Sequence, residues 1–312
     1  MNFTFLVNIG ANLAKNLKFI QERYNSEVLY MKAIEVINNK LEVRESQLPE
    51  PKDDEILIKV KAAGLNRADI AQKNGLYPPP PGASEILGLE CSGIIESVGK
   101  NVTSKKTGDE VIALLAGGGY AEYVACPEHH AIKKPMKLDW IEGASIPEVY
   151  ATCWLNLFME AGMKEGDKVV FHAGASGIGT AGVQLAKAFG CDSFVSAGSK
   201  EKIDFCLNLG ASAGEIRSND IFASIKNWSP EGADVILDPV GAEYFEKNLQ
   251  VLGLEGRLVI IGLMGGAHSN LNLGHLMIKR QKIIGSTIRA RSIIKKNDIM
   301  KELSDNVLPL FD

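Results

Sequence analysis

The sequence predicts an α/β protein built from a β-rich, antiparallel, barrel-like domain followed by a doubly wound parallel sheet. Two observations carry this. Short apolar or alternating runs between Gly and Pro clusters fill residues 31–150, whereas strand and helix rhythms alternate from about Ala151 to residue 290. A third is a glycine-rich turn placed directly after the first strand of the second region.

In the first region the runs are MKAIEVI, EILIKVKAAG, GIIESVG, EVIALL and YAEYVAC, whose patterning suits half-buried antiparallel strands. In the second, KVVFHAG precedes a helical stretch to Phe189. DSFVSAG precedes a helix through Leu209, and a short run follows at Ala213 to Ile216. DVILDPV, RLVIIG and KIIGSTI complete six β runs with helical segments between them. Buried parallel strands are apolar on both faces, and VVF, VIL and LVII have that character. Residues 291–312 read as the opening of a segment that would return to the first domain and is cut short. Residues 1–30 read as an extension. Up to Gln21 they hold Lys15 and Lys18 but no acid, with Ile9, Leu13, Leu17 and Ile20 at roughly helical spacing. A mitochondrial transit peptide has such a pattern but is richer in Arg and Ser, so a cytoplasmic protein is expected.

Composition narrows the function classes. Of 312 residues, 46% are hydrophobic and 23% charged, which is globular rather than disordered composition. A net charge of −4 gives no general attraction to nucleic acid or anionic membranes, and neither is an expected partner. The cysteines Cys91, Cys126, Cys153, Cys191 and Cys206 are odd in number and scattered, unlike a disulfide framework or a metal site.

The glycine-rich turn is Ala173-Gly174-Ala175-Ser176-Gly177-Ile178-Gly179. Small residues where a strand enters a helix let backbone N–H groups approach a pyrophosphate, and the helix N-terminus adds partial positive charge. Following the first of six parallel strands, it points to a dinucleotide. NAD sites place an acid at the end of the second strand to hold the ribose hydroxyls. Here that strand ends Val195-Ser196-Ala197-Gly198-Ser199-Lys200-Glu201-Lys202, with small residues in place of the acid. Missing acid, following lysines and Arg217 after the third strand together favour the 2′-phosphate of NADPH. Lys200 and Lys202 would also serve as a solvated helix start.

Tyr77 precedes four prolines and is a candidate hydrogen-bond donor, or else packs beside that stiff segment. Asn66 offers an amide donor or a turn cap. His172 reads as a core histidine, His129 and His130 as polar-loop residues, and His268 and His275 as isolated. Asp238 lines a crevice or caps a turn, and Glu148 reads as structural.

Several segments together resemble the NADPH:quinone oxidoreductases of the medium-chain dehydrogenase/reductase superfamily, their p53-inducible branch most of all. They are LNRAD at Leu65–Asp69, PPPGAS at Pro79–Ser84, ILGLE at Ile86–Glu90, GGGYAEYV at Gly117–Val124, ASIPE at Ala144–Glu148, HAGASGIGTAGVQLAK from His172, ILDPVG from Ile236 and GLMGG at Gly262–Gly266. The resemblance implies a GroES-like β-barrel catalytic domain, a Rossmann cofactor domain, a cleft between them and a homodimer joined through the cofactor domains. It implies that Asn66, Tyr77 and Thr152 line the cleft, with Gly262 and Met264 near the nicotinamide. Ser176, Gly177 and Ile178 match the pyrophosphate turn, and Ser199 and Lys202 the 2′-phosphate pocket. Arg217 departs from the family's usual Tyr, and the family continues beyond the point where this chain stops.

Zinc enzymes of the superfamily hold their metal with a Cys/His/Cys set. Asn66 occupies the segment of the first Cys, Leu89 replaces the His of a GHE motif, and the four-cysteine lobe is missing, so no metal is expected. Hydride transfer to a quinone needs positioning and one or two donors rather than a Lewis acid. The expected activity is therefore NADPH-dependent reduction of a small quinone. An enone or enoyl-thioester reductase shares every motif, and an NADPH-binding protein with little turnover would differ only in the absence of chemistry.

Overall fold

A computed structural model describes residues 29–311 of the chain. The first 28 residues, which carry the extension and its transit-peptide pattern, lie outside the described residues.

The antiparallel region opens with a hairpin, β1 (Tyr30–Ile37) and β2 (Lys40–Gln47), paired along its whole length. Its two-residue loop, Asn38 and Asn39, has φ of 48° and 62°. That left-handed pair matches the twist of the flanking strands, and Asn tolerates it better than most residues. The alternation of β2 is mostly solvent-facing, which is why it was not anticipated as a strand. A bridge between Ala33 and Ala121 ties the hairpin to a five-stranded sheet. That sheet has the order β6-β3-β4-β5-β7, with β3 at Glu55–Ala63, β4 at Glu90–Val98, β5 at Glu110–Leu114, β6 at Tyr123–Pro127 and β7 at Ala131–Lys133. Ile56, Ile58, Cys91, Ile95, Val111, Ala113 and Val124 fill its interior. The helix α1 (Arg67–Lys73) and the Pro78–Pro81 run lie between β3 and β4.

The second sheet has six parallel strands in the order β10-β9-β8-β11-β12-β13. They are β8 (Lys168–Phe171), β9 (Asp192–Ala197), β10 (Ala213–Ile216), β11 (Ala233–Asp238), β12 (Leu252–Ile260) and β13 (Lys282–Gly285). All six anticipated runs form strands. Their continuous apolarity has a direct cause: Val169, Phe171, Val195, Val235, Leu237 and Val259 enter one core, while Val170, Phe194, Ile236 and Leu258 enter a second on the opposite face. The fold is thus a GroES-like domain plus a Rossmann-type sheet.

α4 (Gly177–Ala188), α5 (Lys200–Leu209), α6 (Ile221–Trp228) and α7 (Ala242–Val251) pack on the parallel sheet, and α2 (Trp140–Ala144) packs on the antiparallel sheet. The chain also forms α3 (Pro147–Cys153), α8 (Leu273–Ile278) and α9 (Ile293–Asn306). The wide turn Trp154–Glu160 prolongs α3 and stacks Trp154 on Phe158 at 4.2 Å. From the second region, α9 returns against β7 and α3, burying Lys296, Ile299, Met300 and Leu303. All five cysteines are buried and free. No described helix is long and apolar enough to cross a membrane.

Candidate active site

The C-terminal ends of the parallel strands converge where β8 and β11 separate the two halves of the sheet, the place where such sheets bind ligands. After β8 the chain turns sharply, with Ala173 at φ 55°. The Gly174 N–H is taken by the Ser196 carbonyl at 2.9 Å, and the Ser176 hydroxyl caps α4 by accepting from Gly179 N–H at 3.1 Å. The N–H groups of Gly177 and Ile178 have no acceptor among the described residues and are presented at the helix start. Glycine is needed here by contact: a Cβ on Gly174 would lie 2.6 Å from Val195 Cβ, and one on Gly179 would lie 2.4 Å from the Gly174 carbonyl oxygen.

α3 passes this turn closely. Val149 borders Gly177, and the Cys153 thiol reaches the Ile178 carbonyl at 3.2 Å. On the same helix Thr152 is buried, and its hydroxyl oxygen has no hydrogen-bond partner. A buried, unpaired hydroxyl is costly in the free chain, and a polar ligand group would relieve it.

At the end of β9, Gly198 has no close neighbour except the Arg217 guanidinium, about 3.9 Å from where a Cβ would stand. Ser199 caps α5 through its hydroxyl. Lys200 is held by Asp204 on its own helix. Lys202 and Arg217 have no carboxylate partner among the described residues, and Lys202 lines a recess with Ala175 of the glycine-rich turn. The two lysines that looked equivalent in sequence are therefore distinct.

Gly262 and Met264 lie in the loop after β12, packed on the segment after β11. Met264 N–H donates to the Pro239 carbonyl at 3.2 Å, and Gly265 N–H to that of Val240 at 2.7 Å. Asp238 caps the turn, accepting from Val240 N–H at 2.7 Å, Gly241 N–H at 3.2 Å and Asn248 Nδ2 at 3.1 Å. Burial nevertheless pushes its carboxyl up to about 6. Asn248 continues to His172 Nε2 at 2.7 Å, and His172 Nδ1 lies 3.0 Å from Ser196 Oγ. Burial holds that imidazole down at about 4, so it stays neutral as a core histidine should. His130 differs from the polar-loop expectation. It is buried under α9, with Nε2 3.4 Å from the Ile293 carbonyl.

In the antiparallel lobe, Asn66 starts α1, and its amide donates to Glu90 Oε1 at 2.8 Å. Glu90 Oε2 accepts from Glu148 N–H at 2.9 Å. Asp69 receives Asn66 N–H at 2.8 Å, Gly88 N–H at 3.0 Å and the Tyr120 hydroxyl at 2.8 Å. Burial raises Glu90 to about 7 and Glu148 to about 8, with the two carboxyls and Asp69 adding repulsion. Lys296 and Arg289, both buried, oppose the rise at Glu148. Tyr77 is half-buried beneath Arg289, whose guanidinium carbon lies 5.3 Å from its ring centre. Desolvation and Glu148 raise the phenol's pKa while Arg289 pulls it down, and the net shift is upward. Asp69, Glu90, Arg289 and Lys296 were not anticipated as site residues. The alternation of Glu90 with apolar neighbours was the one available sign. Leu89 is buried, and among the described residues no group of three or more His, Cys, Asp or Glu side chains is arranged to hold a metal ion.

A nucleotide-type turn on a doubly wound sheet, joined to a GroES-like domain, defines a dehydrogenase or reductase using a pyridine nucleotide. Residues 177–305 match the zinc-binding dehydrogenase family, and residues 52–136 the alcohol dehydrogenase GroES-like domain. Human quinone oxidoreductase is 34% identical over 244 residues, covering 77% of this chain and 74% of that protein. The crystal structures of quinone oxidoreductase from Pseudomonas syringae pv. Tomato DC3000 are similar with a TM-score of 0.79 and 26% identity, over 91% of this chain and 88% of theirs. The CurK enoyl reductase structure is similar with a TM-score of 0.77 and 27% identity, over 90% and 87%. The chain belongs to the medium-chain dehydrogenase/reductase family and is an oxidoreductase.

Proposed function

We propose that this chain transfers hydride from NADPH to a small quinone without a metal, as a zinc-free quinone oxidoreductase of the p53-inducible kind. The observation that carries the cofactor reading is the end of β9. Gly198 and Ser199 stand where an acid would hold ribose hydroxyls, and the guanidinium of Arg217 borders the same point. Lys202 adds a second cation there, and both lack a carboxylate partner among the described residues. The Gly177 and Ile178 amides fit a pyrophosphate, and the unpaired Thr152 hydroxyl fits a ribose or nicotinamide polar group. Gly262 and Met264 fit the nicotinamide side.

When bound, the dinucleotide supplies a hydride to the acceptor. This chain's residues orient the acceptor and supply a proton. A phenol carries its proton at neutral pH, and the raised pKa of Tyr77 keeps it so. From Oη it donates a hydrogen bond to the quinone oxygen as negative charge develops there, and releases the proton once that oxygen is the stronger base. Asn66 is the second donor, one amide N–H on Glu90 and the other free of a partner among the described residues. No thiolate or imidazole stands at Asn66 or Leu89, so the donor set suits this metal-free route.

The expected second partner is another copy of this chain, joined through the cofactor domains. β13 is an edge strand, and α8 beside it exposes Leu273, Met277 and Ile278. Similarity to an enoyl reductase keeps reduction of an enone or enoyl thioester as the second reading.

The test is NADPH oxidation by purified protein with an ortho-quinone and with an enone, NADH in parallel. Quinone turnover with NADPH preferred by at least about tenfold is expected, a difference of about 1.4 kcal/mol. Tyr77→Phe should lose at least about 100-fold in kcat, the usual scale of a positioned proton donor. Turnover of the enone alone moves the reading to the enoyl class. Saturable NADPH binding with neither acceptor reduced makes the chain a cofactor-binding protein.

A further inference from the structure

Arg289 is a buried cation held by neutral groups. It is 3% exposed, and its Nε donates to the Ala116 carbonyl at 2.9 Å, Nη1 to the Tyr77 carbonyl at 3.2 Å and Nη2 to Gln72 Oε1 at 2.7 Å. Asp69, Glu148 and Glu85 act on it only from a distance, and no described carboxylate is within ion-pair reach. Burying a guanidinium without a direct counter-charge is expensive. Proteins keep such arrangements chiefly where a site requires them.

The direction of the contacts shows what is held. Gln72 lies on α1, Tyr77 in the loop after it and Ala116 just after β5, all in the antiparallel lobe. Arg289 itself comes from the parallel sheet, in the segment that follows β13. β13 pairs in register with β12, Gly285 opposite Ile260, and β12 runs directly into Gly262 and Met264. The same guanidinium that binds the Tyr77 backbone also covers the Tyr77 ring, 5.3 Å from its centre. One side chain therefore spans the cleft and ties the phenol to the strand pair that carries the nicotinamide-side loop.

We propose that Arg289 is the positioning residue of Tyr77, fixing the phenol relative to the cofactor sheet and so selecting acceptors whose oxygen reaches that point. It does not touch the acceptor or the dinucleotide. The inference rests on the reading of Tyr77 as proton donor. Its consequence is a split between parameters: without the guanidinium the phenol loses its placement, while the phosphate-holding parts of the dinucleotide site, built from α4, α5 and the end of β9, are untouched.

The experiment is a double-mutant cycle on the full chain with NADPH and an ortho-quinone, using Arg289→Gln, Tyr77→Phe and the pair. Arg289→Gln should lower kcat about 30-fold with the NADPH KM within about twofold, and should cost less than about threefold when Tyr77 is already Phe. Equal losses in both backgrounds, or an NADPH KM that rises in step, would overturn the proposal. If Arg289→Gln does not fold, Gln72→Ala removes one acceptor instead. It should then give a smaller kcat loss that likewise vanishes in the Tyr77→Phe background, and an equal loss there refutes the coupling. An activity-independent reading separates this inference from the catalytic one. With 13Cζ-labelled tyrosine, the resonance missing from Tyr77→Phe is that of Tyr77. It should shift and broaden in Arg289→Gln, and an unchanged resonance overturns the positioning role even if no acceptor is ever reduced.

Discussion

Gly198→Asp should turn the cofactor preference from NADPH towards NADH. The backbone accepts the side chain: Gly198 is not in the left-handed region, and the nearest atoms to its Cβ position belong to the Arg217 guanidinium at 3.9 Å. A carboxylate there would pair with Arg217, withdrawing from a 2′-phosphate a charge-assisted contact of about 1.5 kcal/mol. It would also place a negative charge beside that phosphate, costing about 1 kcal/mol more in this solvated setting. NADPH should therefore lose about 2.5 kcal/mol, or roughly 70-fold in kcat/KM. NADH would gain a carboxylate acceptor for its ribose hydroxyls, worth about 1 kcal/mol or roughly fivefold. The ratio should swing by about 350-fold, measured as initial rates of both cofactors with one quinone at fixed ionic strength. Raising the salt should shrink the wild-type preference, since exposed charges are screened within about 10 Å at 0.1 M. An unchanged ratio in the variant would mean that the end of β9 does not read the 2′ position. A wild type that prefers NADH would sink the phosphate pocket altogether.

Three further outcomes are expected. Glu148, whose buried carboxyl is pushed up to about 8 from an ordinary 4.5, binds its proton in the native state at pH values where the unfolded chain has released it. The stability it contributes is complete below pH 4.5 and is lost as pH rises through 8, so Glu148→Gln should raise the thermal midpoint relative to wild type at pH 8.5 but hardly at pH 5; a difference independent of pH would rule this out. Gly179→Ala drives a Cβ to 2.4 Å from the Gly174 carbonyl, and NADPH affinity by fluorescence titration should fall at least about tenfold while the thermal midpoint drops several degrees; retained affinity would place the dinucleotide elsewhere. Ile278→Asp, at a side chain 73% exposed beside the edge strand, should convert a dimer to a monomer in light scattering; a wild-type monomer, or a dimer indifferent to the change, removes α8 from the interface.

What the sequence made legible is what local physics writes locally. The parallel strands were readable because residues such as Val169, Val170 and Phe171 face two separate cores in turn, leaving no polar position between them. The dinucleotide turn was readable because a close backbone approach needs small residues in a row. β2 was not, since its alternation faces solvent on both sides of the hairpin, and β7 is only three residues long. His130 sits beside Glu128 and His129 in a segment that reads as polar. Only α9, more than 160 residues further along the chain, makes it interior, and no local pattern carries that information.

The cleft charges were illegible for the same reason, and they change how the site can be understood. Asp69, Glu90, Arg289 and Lys296 carry no local sign of burial and Glu148 reads as structural, yet all five are buried beside one another. Arg289 and Lys296 lie among these acids, and Asp69 accepts three hydrogen bonds, from Asn66 N–H, Gly88 N–H and the Tyr120 hydroxyl. Burial is the largest cause of both raised carboxyls. The Glu148 N–H and the Asn66 amide hold Glu90 back to about 7, while at Glu148 the repulsion of Glu90 and Asp69 is opposed by Lys296 and Arg289 and the carboxyl stands at about 8. Buried charges without a direct partner are costly to stability on their own, so their gathering beside Asn66 and Tyr77 is what a site rather than a folding core would require.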